Sequence, residues 1–273
     1  MNEIVLTILG SGCSSGVPRL GGADLAGDWG ACDPLNPKNR RTRCSVLVER
    51  HGAGGITRVL VDTAPDLREQ LLRERVAAVD AVLLTHDHAD QLHGLDDLRQ
   101  ITHFMGRRVE VHADPRCAAT VMSRFGYCFR TPAGSPYPPI ANLNVIAAPL
   151  LPFEISGAGG PLPVWPFWQQ HGVILSLGFR FGPIAYSPDV SAVDDQAFAV
   201  LAGVDTWIVD ALRHKPHPTH ANVAKALEWI ARLKPRHAVL TNLHQDLDYE
   251  VLKASLADGI EPAFDGLRLS AAL

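Results

Sequence analysis

The sequence predicts a mixed α/β fold, and three features of the chain support that class. Hydrophobic residues make up 47% of the 273 residues, which is enough apolar surface for a sizeable core. Short β-branched runs recur along the chain, and each ends in a polar or glycine-rich turn, as strands do. Segments of helical periodicity lie among these runs. No stretch separates two self-sufficient cores, so we predict a single domain over residues 1–273.

The elements follow from local pattern. The predicted strands, in chain order, are EIVLTILGSG, CSVLVER, TRVLVDT, AVLLTHD, VEVHA, LNVIAA, VILSLGFRF, PIAYSPD, TWIVDA and HAVLTNL. Helical periodicity predicts helices over residues 65–76, 220–233 and 249–256. The stretches 16–38 and 132–163 are rich in glycine and proline and are predicted to be long loops. We expect mostly antiparallel strands early in the chain and interleaved helices later.

Composition and charge exclude several classes of function. The net charge of −4 provides no basic footprint, so we do not expect a nucleic acid partner. No apolar run approaches the roughly 18 residues of a membrane span, and the N-terminus lacks a basic start with a cleavage site. These features predict a cytoplasmic protein without a membrane partner. The 5 cysteines are irregularly spaced, which argues against a disulfide framework.

The segment THDHADQLHG, residues 85–94, follows the apolar run AVLL and is rich in titratable side chains. His86, His88 and Asp90 alternate there, and alternate side chains of an extended segment share one face. Imidazole and carboxylate are ligands of borderline to hard divalent ions. A polar surface loop is the alternative interpretation, but the spacing directly after an apolar strand favours a metal site.

The same segment, continued as THDHADQLHGLDDLR, resembles the H-x-H-x-D-H signature of the metallo-β-lactamase superfamily. VDTAPDL, QQHG and YSPDV follow in the order of that superfamily's further motifs, and LGSGCSSGVPRLGG with NPKNRRTRCSVLV resembles its phosphoribosyl cyclic phosphodiesterase branch. More distantly, the chain is similar to tRNA 3′-processing endonucleases. The resemblance implies a four-layer αβ/βα sandwich. It also implies a metal-dependent hydrolase, a phosphodiesterase that attacks a small cyclic or nucleotide-like phosphodiester with a metal-activated water.

The resemblance further implies two divalent metal ions, Mn²⁺ or Zn²⁺, and a set of residues around them. The implied ligands in the matching motifs are His86, His88, Asp90, His171 and Asp189. The three histidines would bind the first ion, and Asp189 would bridge to the second. Asp62 corresponds to an aspartate that lies behind the ions. Such ions lower the pKa of a coordinated water and neutralise phosphate oxygens, which suits phosphodiester hydrolysis.

Hydrolysis of a phosphodiester also needs a proton for the leaving alkoxide. The spacing from His220 to Asn242 resembles that between the catalytic histidine and the last metal-binding histidine of this branch. We therefore predict that His220, at the start of the helix over 220–233, is the general acid. Asp90 is the second candidate catalytic residue, and His217 is a candidate substrate contact.

Arg41 and Arg43 are candidate phosphate-binding residues, because arginine binds phosphate through paired hydrogen bonds. A solvated run of charge is the alternative interpretation of both. The expected partner is a small phosphorylated substrate, such as a nucleotide or a cyclic phosphate. The sequence leaves a homodimer open.

The chain departs from the family pattern at the second metal site. Gln91 and Asn242 stand where the family has histidines, and each is followed two residues later by a histidine, His93 or His244. We predict that His244 replaces the lost ligand at Asn242, with Gln91 and Asn242 beside the ion. His93 lies where a helix begins, so we predict that it packs or supports the site without binding metal. Oxygen ligands in place of imidazole would favour Mn²⁺ over Zn²⁺. The alternative interpretation of the altered second site is that the protein binds a single metal ion.

A structural zinc is not expected. Some relatives carry a cysteine cluster before RRTRC and a histidine after the last metal ligand, whereas this chain has only Cys32 and Gln245 there. Cys13 and Cys44 are predicted to be small buried residues.

Two other functions stay open at this stage. One is a thioester or lactone hydrolase, because this fold supports several chemistries. The other is a catalytically weak nucleotide-binding protein, since the second metal site is altered. The histidines of HKPHPTH and the arginine run favour a phosphorylated substrate over both.

Overall fold

The structure is a computed structural model that describes residues 3–147 and 150–273. Its strands are β1 (Glu3–Gly10), β2 (Ser45–Gly52), β3 (Gly55–Val61), β4 (Ala81–Leu83), β5 (Val109–Ala113), β6 (Ala141–Val145), β7 (Phe153–Ile155), β8 (Leu162–His171), β9 (Ile174–Phe181), β10 (Ile184–Ser187), β11 (Thr206–Asp210), β12 (His237–Thr241), β13 (Ile260–Pro262) and β14 (Arg268–Ala272). Its α-helices are α1 (Leu67–Glu74), α2 (Ala89–Leu92), α3 (Leu98–Met105), α4 (Pro115–Phe129), α5 (Asp195–Leu201), α6 (Val223–Leu233) and α7 (Tyr249–Ser255). Short 3₁₀ turns occupy Pro37–Asn39 and Leu95–Asp97.

The strands form two 7-stranded sheets with the orders β14-β1-β2-β3-β4-β5-β6 and β13-β12-β11-β10-β9-β8-β7. The first sheet is antiparallel from β14 to β3, and the second sheet is antiparallel from β7 to β10. The other side of each sheet is parallel, and helices make the crossovers that parallel pairs need. The prediction of early antiparallel strands holds for β1 to β3 but misses the second antiparallel region at β7 to β10.

Three apolar clusters fill the spaces between layers. Leu6 of β1 and Phe179 of β9 belong to the cluster in which the two sheets face each other. On its outer side, the first sheet shares a second cluster with α1, α3 and α4, in which Val82 and Ile101 are buried. The second sheet shares a third cluster with α5, α6 and α7. The layers are therefore helix, sheet, sheet and helix, which confirms the four-layer αβ/βα sandwich.

The predicted helices correspond to α1, α6 and α7, with one correction that concerns the site. Helix α6 begins at Val223, because the side chain of Asn222 accepts the backbone N–H of Lys225 and caps the helix. His220 consequently lies in the loop before α6 and not at the helix start. Helix α4 was not predicted, although Asp114 caps it and Pro115 opens it, as expected of a helix N-terminus.

The two predicted loops differ in outcome. Residues 16–38 are irregular up to the 3₁₀ turn, as predicted, whereas 132–163 contains β6 and β7 and the start of β8. Within the part of the chain that the structure describes, no helix is long and apolar enough to cross a membrane.

Candidate active site

Side chains from both sheets converge where their strands end. His86 follows β4 of the first sheet, and His171 is the last residue of β8 in the second. Asp189 comes shortly after β10, Asp210 ends β11 and Asn242 follows β12. Contacts between His86 and His171, and between Asn242 and Asp189, join these strand ends into one cluster. The cluster contains His86, His171 and Asp189, three of the residues that the sequence predicts for the metal centre.

Three imidazole rings form one part of the cluster. The ring centroids of His86 and His88 are 4.5 Å apart, and each lies 5.0 Å from the ring of His171. One ligand nitrogen of each residue lies within 4.8 Å of the others. This spacing fits a single divalent ion shared by three imidazole nitrogens. The structure thus brings together the histidines predicted for the first ion, and their role as ligands stays a prediction.

A chain of hydrogen bonds orients His86. The hydroxyl of Thr85 donates to the carboxylate of Asp62 at 2.9 Å, and Nδ1 of His86 lies 3.0 Å from the same hydroxyl oxygen. Because the hydroxyl proton goes to Asp62, Nδ1–H of His86 donates to Thr85 and Nε2 keeps its lone pair. Nε2 is buried and has no hydrogen-bond partner among the described residues. A buried acceptor without a partner is costly, so this atom fits a bound cation. Asp62 lies behind the site, as predicted.

His171 is oriented from the opposite side. Its Nδ1–H donates to the carbonyl oxygen of Thr219 at 2.7 Å, which leaves Nε2 as the free nitrogen, 3.3 Å from Nδ1 of His88. Burial and the neighbouring histidines lower the pKa of His171 to about 4. Burial also lowers the pKa of His86 well below its usual value. Both rings are therefore neutral at pH 7, which is the form in which imidazole binds a metal ion.

Asp189 is buried, and two amide groups hold its carboxylate. Nε2 of Gln91 donates to Oδ2 at 3.1 Å, and Nδ2 of Asn242 donates to Oδ1 at 3.3 Å. Burial raises the pKa of Asp189 to about 8, and the nearby charge of Asp90 adds to the rise. Asp90 is half-buried, with Oδ2 3.4 Å from Nε2 of Gln91. Gln91 and Asn242 thus contact the carboxylates directly, which agrees with their predicted supporting position.

His220 forms a hydrogen-bonded pair with Asp210. Nδ1 of His220 donates to Oδ2 of Asp210 at 2.8 Å and lies 3.7 Å from Oδ1 of Asp189. Burial lowers the pKa of His220, but the hydrogen bond and the charge of Asp210 outweigh burial and raise it to about 9. The ring centroid of His220 lies 4.7 Å from that of His171. The structure therefore places an imidazole whose pKa is raised by Asp210 beside the histidine cluster.

Asp210 is the functional residue that the sequence analysis missed. It is fully buried, it accepts the backbone N–H of Val190 at 3.1 Å, and burial raises its pKa to about 6. The signal was present in TWIVDA, where an acidic residue ends an apolar strand, as in AVLLTHD.

His244 does not reach this cluster, which corrects its predicted role as a metal ligand. Its Nδ1 lies 3.3 Å from Oδ2 of Asp246. It belongs to neither group of closely spaced ligand atoms in the described residues. The prediction assumed strand alternation from Asn242, but Asn242 has a φ of 62°, in the left-handed region. That conformation ends the alternation, so residues 242 and 244 do not share a face.

Arg41 is not a phosphate ligand in this structure, which corrects a second prediction. Its side chain is only 1% exposed. Nη2 donates to the carbonyl oxygen of Leu247 at 2.7 Å and to Oδ1 of Asn39 at 3.1 Å, and Nη1 donates to the carbonyl oxygen of His244 at 3.2 Å. Arg41 therefore ties the segment before β2 to the segment after β12.

Arg43 does face a recess beside the site. The recess has a volume of about 650 Å³, and Ser14, Ser15, Arg19, Arg43 and Asp90 are among its lining residues. Nε of Arg43 pairs with Oδ2 of Asp66 at 2.9 Å. Asp66 thus fixes the guanidinium in place, so that Arg43 remains a candidate contact for an anionic substrate.

The two remaining predicted histidines lie at the margin of the site. The ring of His217 is 5.1 Å from that of His220, and Nδ1 accepts the backbone N–H of Thr219 at 3.3 Å. His93 is exposed and packs edge-on against Phe125, with ring centroids 5.8 Å apart. This contact is consistent with the packing role predicted for His93, and the substrate contact predicted for His217 stays a prediction.

The cysteines discussed above are all buried. Cys13 and Cys44 are interior residues, as predicted. The thiol of Cys32 donates to the carbonyl oxygen of Gln245 at 3.3 Å, close to the guanidinium of Arg41.

Several proteins of known structure share this fold. A structure titled as a new diphosphatase from the PhnP family is 35% identical, with a TM-score of 0.86, and the match covers 99% of this chain and 98% of that chain. Zn²⁺-bound PqqB from Methylobacterium extorquens is 21% identical, with a TM-score of 0.71 over 97% of this chain and 99% of that chain. Human tRNase Z, short form, is 15% identical, with a TM-score of 0.64 over 97% of this chain and 98% of that chain. The last two show the fold alone.

Sequence comparison gives the family. The chain is 32% identical over 265 residues to an octanoyltransferase of Porphyromonas gingivalis, and the match covers 95% of this chain but only 50% of that protein. The chain thus spans about half the length of the curated relative that it matches. A family model described as "Beta-lactamase superfamily domain" matches residues 57–242. The chain therefore belongs to the beta-lactamase superfamily and has the metallo-β-lactamase fold.

Proposed function

We propose that this hydrolase of the metallo-β-lactamase fold cleaves a small phosphodiester, with a divalent ion at the histidine cluster and His220 as the general acid. The observation that carries the proposal is the pairing of His220 with Asp210 beside the histidine cluster. A cationic imidazole in that position serves a reaction whose leaving group is a poor anion that needs a proton. Phosphodiester cleavage releases such an alkoxide.

The histidines supply the framework for the ion. His86, His88 and His171 offer three imidazole nitrogens, and the hydrogen bonds that His86 donates to Thr85 and His171 donates to Thr219 fix two of those rings. A bound divalent ion would supply an acidified water and would neutralise charge on the phosphate. The nitrogen donors fit Zn²⁺, and the carboxylates of the site are compatible with Mn²⁺. Two ions were predicted from the sequence, and among the described residues His244, a predicted ligand of the second ion, does not lie with the other predicted ligands.

His220 delivers its proton from a defined atom. Nδ1 is engaged by Asp210, so Nε2 is the nitrogen that remains for the substrate. Asp210 stabilises the charged ring and holds its orientation, as a carboxylate partner does for a catalytic histidine. Asp90 lines the recess at the open side of the cluster, where its carboxylate is positioned to accept a hydrogen bond from the attacking water.

The recess supports an anionic substrate. Arg19 and Arg43 both line it, and both are anchored by aspartates, Asp28 and Asp66, at 2.8 and 2.9 Å. Guanidinium groups bind phosphate oxygens through paired hydrogen bonds. The relative at 35% identity is named as a diphosphatase, which is the reason to keep phosphoanhydrides as a second candidate substrate class. Octanoyl transfer does not carry over, because this chain matches only 50% of that relative.

A substrate panel tests the proposal. Metal-loaded protein should hydrolyse bis(p-nitrophenyl) phosphate and cyclic nucleotides or sugar phosphates, and His220→Ala should lower kcat by about 10²–10⁴-fold for diesters with an alkoxide leaving group. Diphosphates, thioesters and lactones are the comparison substrates. Turnover of thioesters or lactones with no turnover of any phosphate substrate would refute the proposal. Binding of nucleotides without turnover of any substrate, under every metal tried, would identify a binding protein in its place.

A further inference from the structure

The position of the expected second ion contains a group of side chains that are hydrogen-bonded to one another. Gln91 and Asn242, the residues that replace family histidines, are 1% and 2% exposed, and Asp189 between them is 2% exposed. Each amide nitrogen donates to a different oxygen of the Asp189 carboxylate, at 3.1 and 3.3 Å. We call Gln91, Asp189 and Asn242 the amide–carboxylate cluster. Both oxygens of Asp189 thereby accept an N–H donor.

The donor chemistry of this cluster does not fit a second ion. An amide nitrogen has no lone pair for a metal, and only the amide oxygen can act as a ligand. Reversing the amide of Gln91 would turn its oxygen toward the carboxylate at the same short distance, which replaces a hydrogen bond by repulsion. Without the two imidazoles, the strong ligands left at this position among the described residues are Asp90 and Asp189, and the amide oxygen of Gln91, which is buried without a partner, would be a weak third ligand. Zinc sites in proteins ordinarily have at least three protein ligands.

A second group of residues with closely spaced ligand atoms does not provide the missing site for a second metal ion. His171, Asp189 and His220 have ligand atoms within 4.8 Å of one another. However, Nδ1 of His171 is bonded to Thr219, so this ring has one free lone pair, and the cluster with His86 and His88 uses the same atom. Nδ1 of His220 is similarly engaged by Asp210. This group therefore extends the first site and cannot hold an additional ion through His171.

We propose that the chain binds one divalent ion, at His86, His88 and His171, and that the amide–carboxylate cluster takes the place of a second ion. In this arrangement the two amides hold Asp189 in position by hydrogen bonds, a task that a second cation would otherwise perform. Nδ1 of His220 also lies 3.7 Å from Oδ1 of Asp189. The inference concerns metal stoichiometry and does not depend on which substrate is cleaved.

The test measures ions per chain without using activity. The purified protein is stripped with a chelator, refilled with excess Zn²⁺ or Mn²⁺ and freed of unbound metal. Bound metal is then measured by inductively coupled plasma mass spectrometry and native mass spectrometry. We expect one ion per chain for the wild type, two for Gln91→His/Asn242→His, and one for Gln91→Ala/Asn242→Ala. We expect His171→Ala to bind less than one ion per chain. This result would show that the counted ion is the one at the histidine cluster.

Two outcomes would overturn the inference. One is a wild type with two tightly bound ions, and loss of one of them in the double alanine variant would show that the amide oxygens are ligands. The other is a double histidine variant that folds, by circular dichroism, and still binds one ion, because the cluster would then not occupy an ion position. If that variant does not fold, the wild type and the alanine variant still decide the question. Since no substrate is present, a failed hydrolysis assay would leave this result unaffected.

Discussion

Replacing Asp210 by asparagine should change the pH dependence of hydrolysis. Asp210 raises the pKa of His220 to about 9 through its hydrogen bond and its charge, against the effect of burial. Asparagine keeps a carbonyl acceptor for Nδ1–H but removes the charge. The pKa of His220 should therefore fall to its ordinary value of about 6.5 or lower, since burial disfavours the charged ring. The general acid would then lose its proton in the range in which the wild-type enzyme is still active.

The size of the effect follows from the protonated fraction. With a pKa of about 9, about 90% of His220 is protonated at pH 8, whereas a pKa of about 6.5 leaves about 3%. We therefore expect Asp210→Asn to lower kcat by about 30-fold at pH 8 for a substrate with an alkoxide leaving group. At pH 6 the two fractions are nearly equal, so the loss should shrink to about 1.3-fold.

The assay is a kcat profile from pH 5.5 to 9.5 at saturating metal. Asp246→Asn is the matched control, because it removes a carboxylate from the neighbouring His244 and should leave the profile unchanged. A loss in Asp210→Asn that is the same at pH 6 and pH 8 would refute the reasoning. It would show that Asp210 acts by positioning alone, without setting the charge of His220.

Four further predictions follow from the same contacts. A strong chelator should abolish hydrolysis of bis(p-nitrophenyl) phosphate, and Mn²⁺ or Zn²⁺ should restore it; activity that survives removal of metal would contradict a metal centre. Arg41→Ala should lower the free energy of unfolding by about 2–5 kcal/mol in urea titrations, because it leaves buried carbonyl oxygens without donors. Arg43→Ala should mainly raise KM, by roughly 10-fold for the loss of one charged hydrogen bond, and an unchanged KM would exclude it from the substrate recess. His244→Ala should leave the metal content unchanged, and loss of an ion would restore the role predicted from the sequence.

Much of the fold could be predicted because the strands are apolar and end in polar turns. Even His171, which lies in an unpredicted strand, was identified from its local motif. The strand was missed because β8 contains Pro163 and Pro166, which weaken the pattern that identifies a strand. The second antiparallel region depends on the pairing of β7 with β8, of β8 with β9 and of β9 with β10, and pairing partners are not visible in local periodicity.

The positions of site residues could be predicted where the local sequence pattern determines their geometry. They could not be predicted where contacts between residues far apart in the sequence determine it. The alternation of His86 and His88 follows from an extended segment after β4. The assignment of His244 failed because a single left-handed residue, Asn242, ends the alternation, and the sequence does not show that conformation. Arg41 was misassigned because its partners after β12 are more than 200 residues away, as the separation of 206 from Leu247 shows.

The dependence of His220→Ala on the leaving group tests the central claim most directly. The assay compares wild type and variant on a series of phosphodiesters that share one side and differ in the pKa of the departing alcohol or phenol, with metal content checked in each preparation. For alkoxide leaving groups we predict a loss in kcat of about 10²–10⁴-fold, the usual contribution of general acid catalysis. For p-nitrophenolate, which departs without a proton, the loss should fall to about 10-fold or less. An equal loss across the whole series would contradict proton transfer from His220 and, with it, the proposed mechanism.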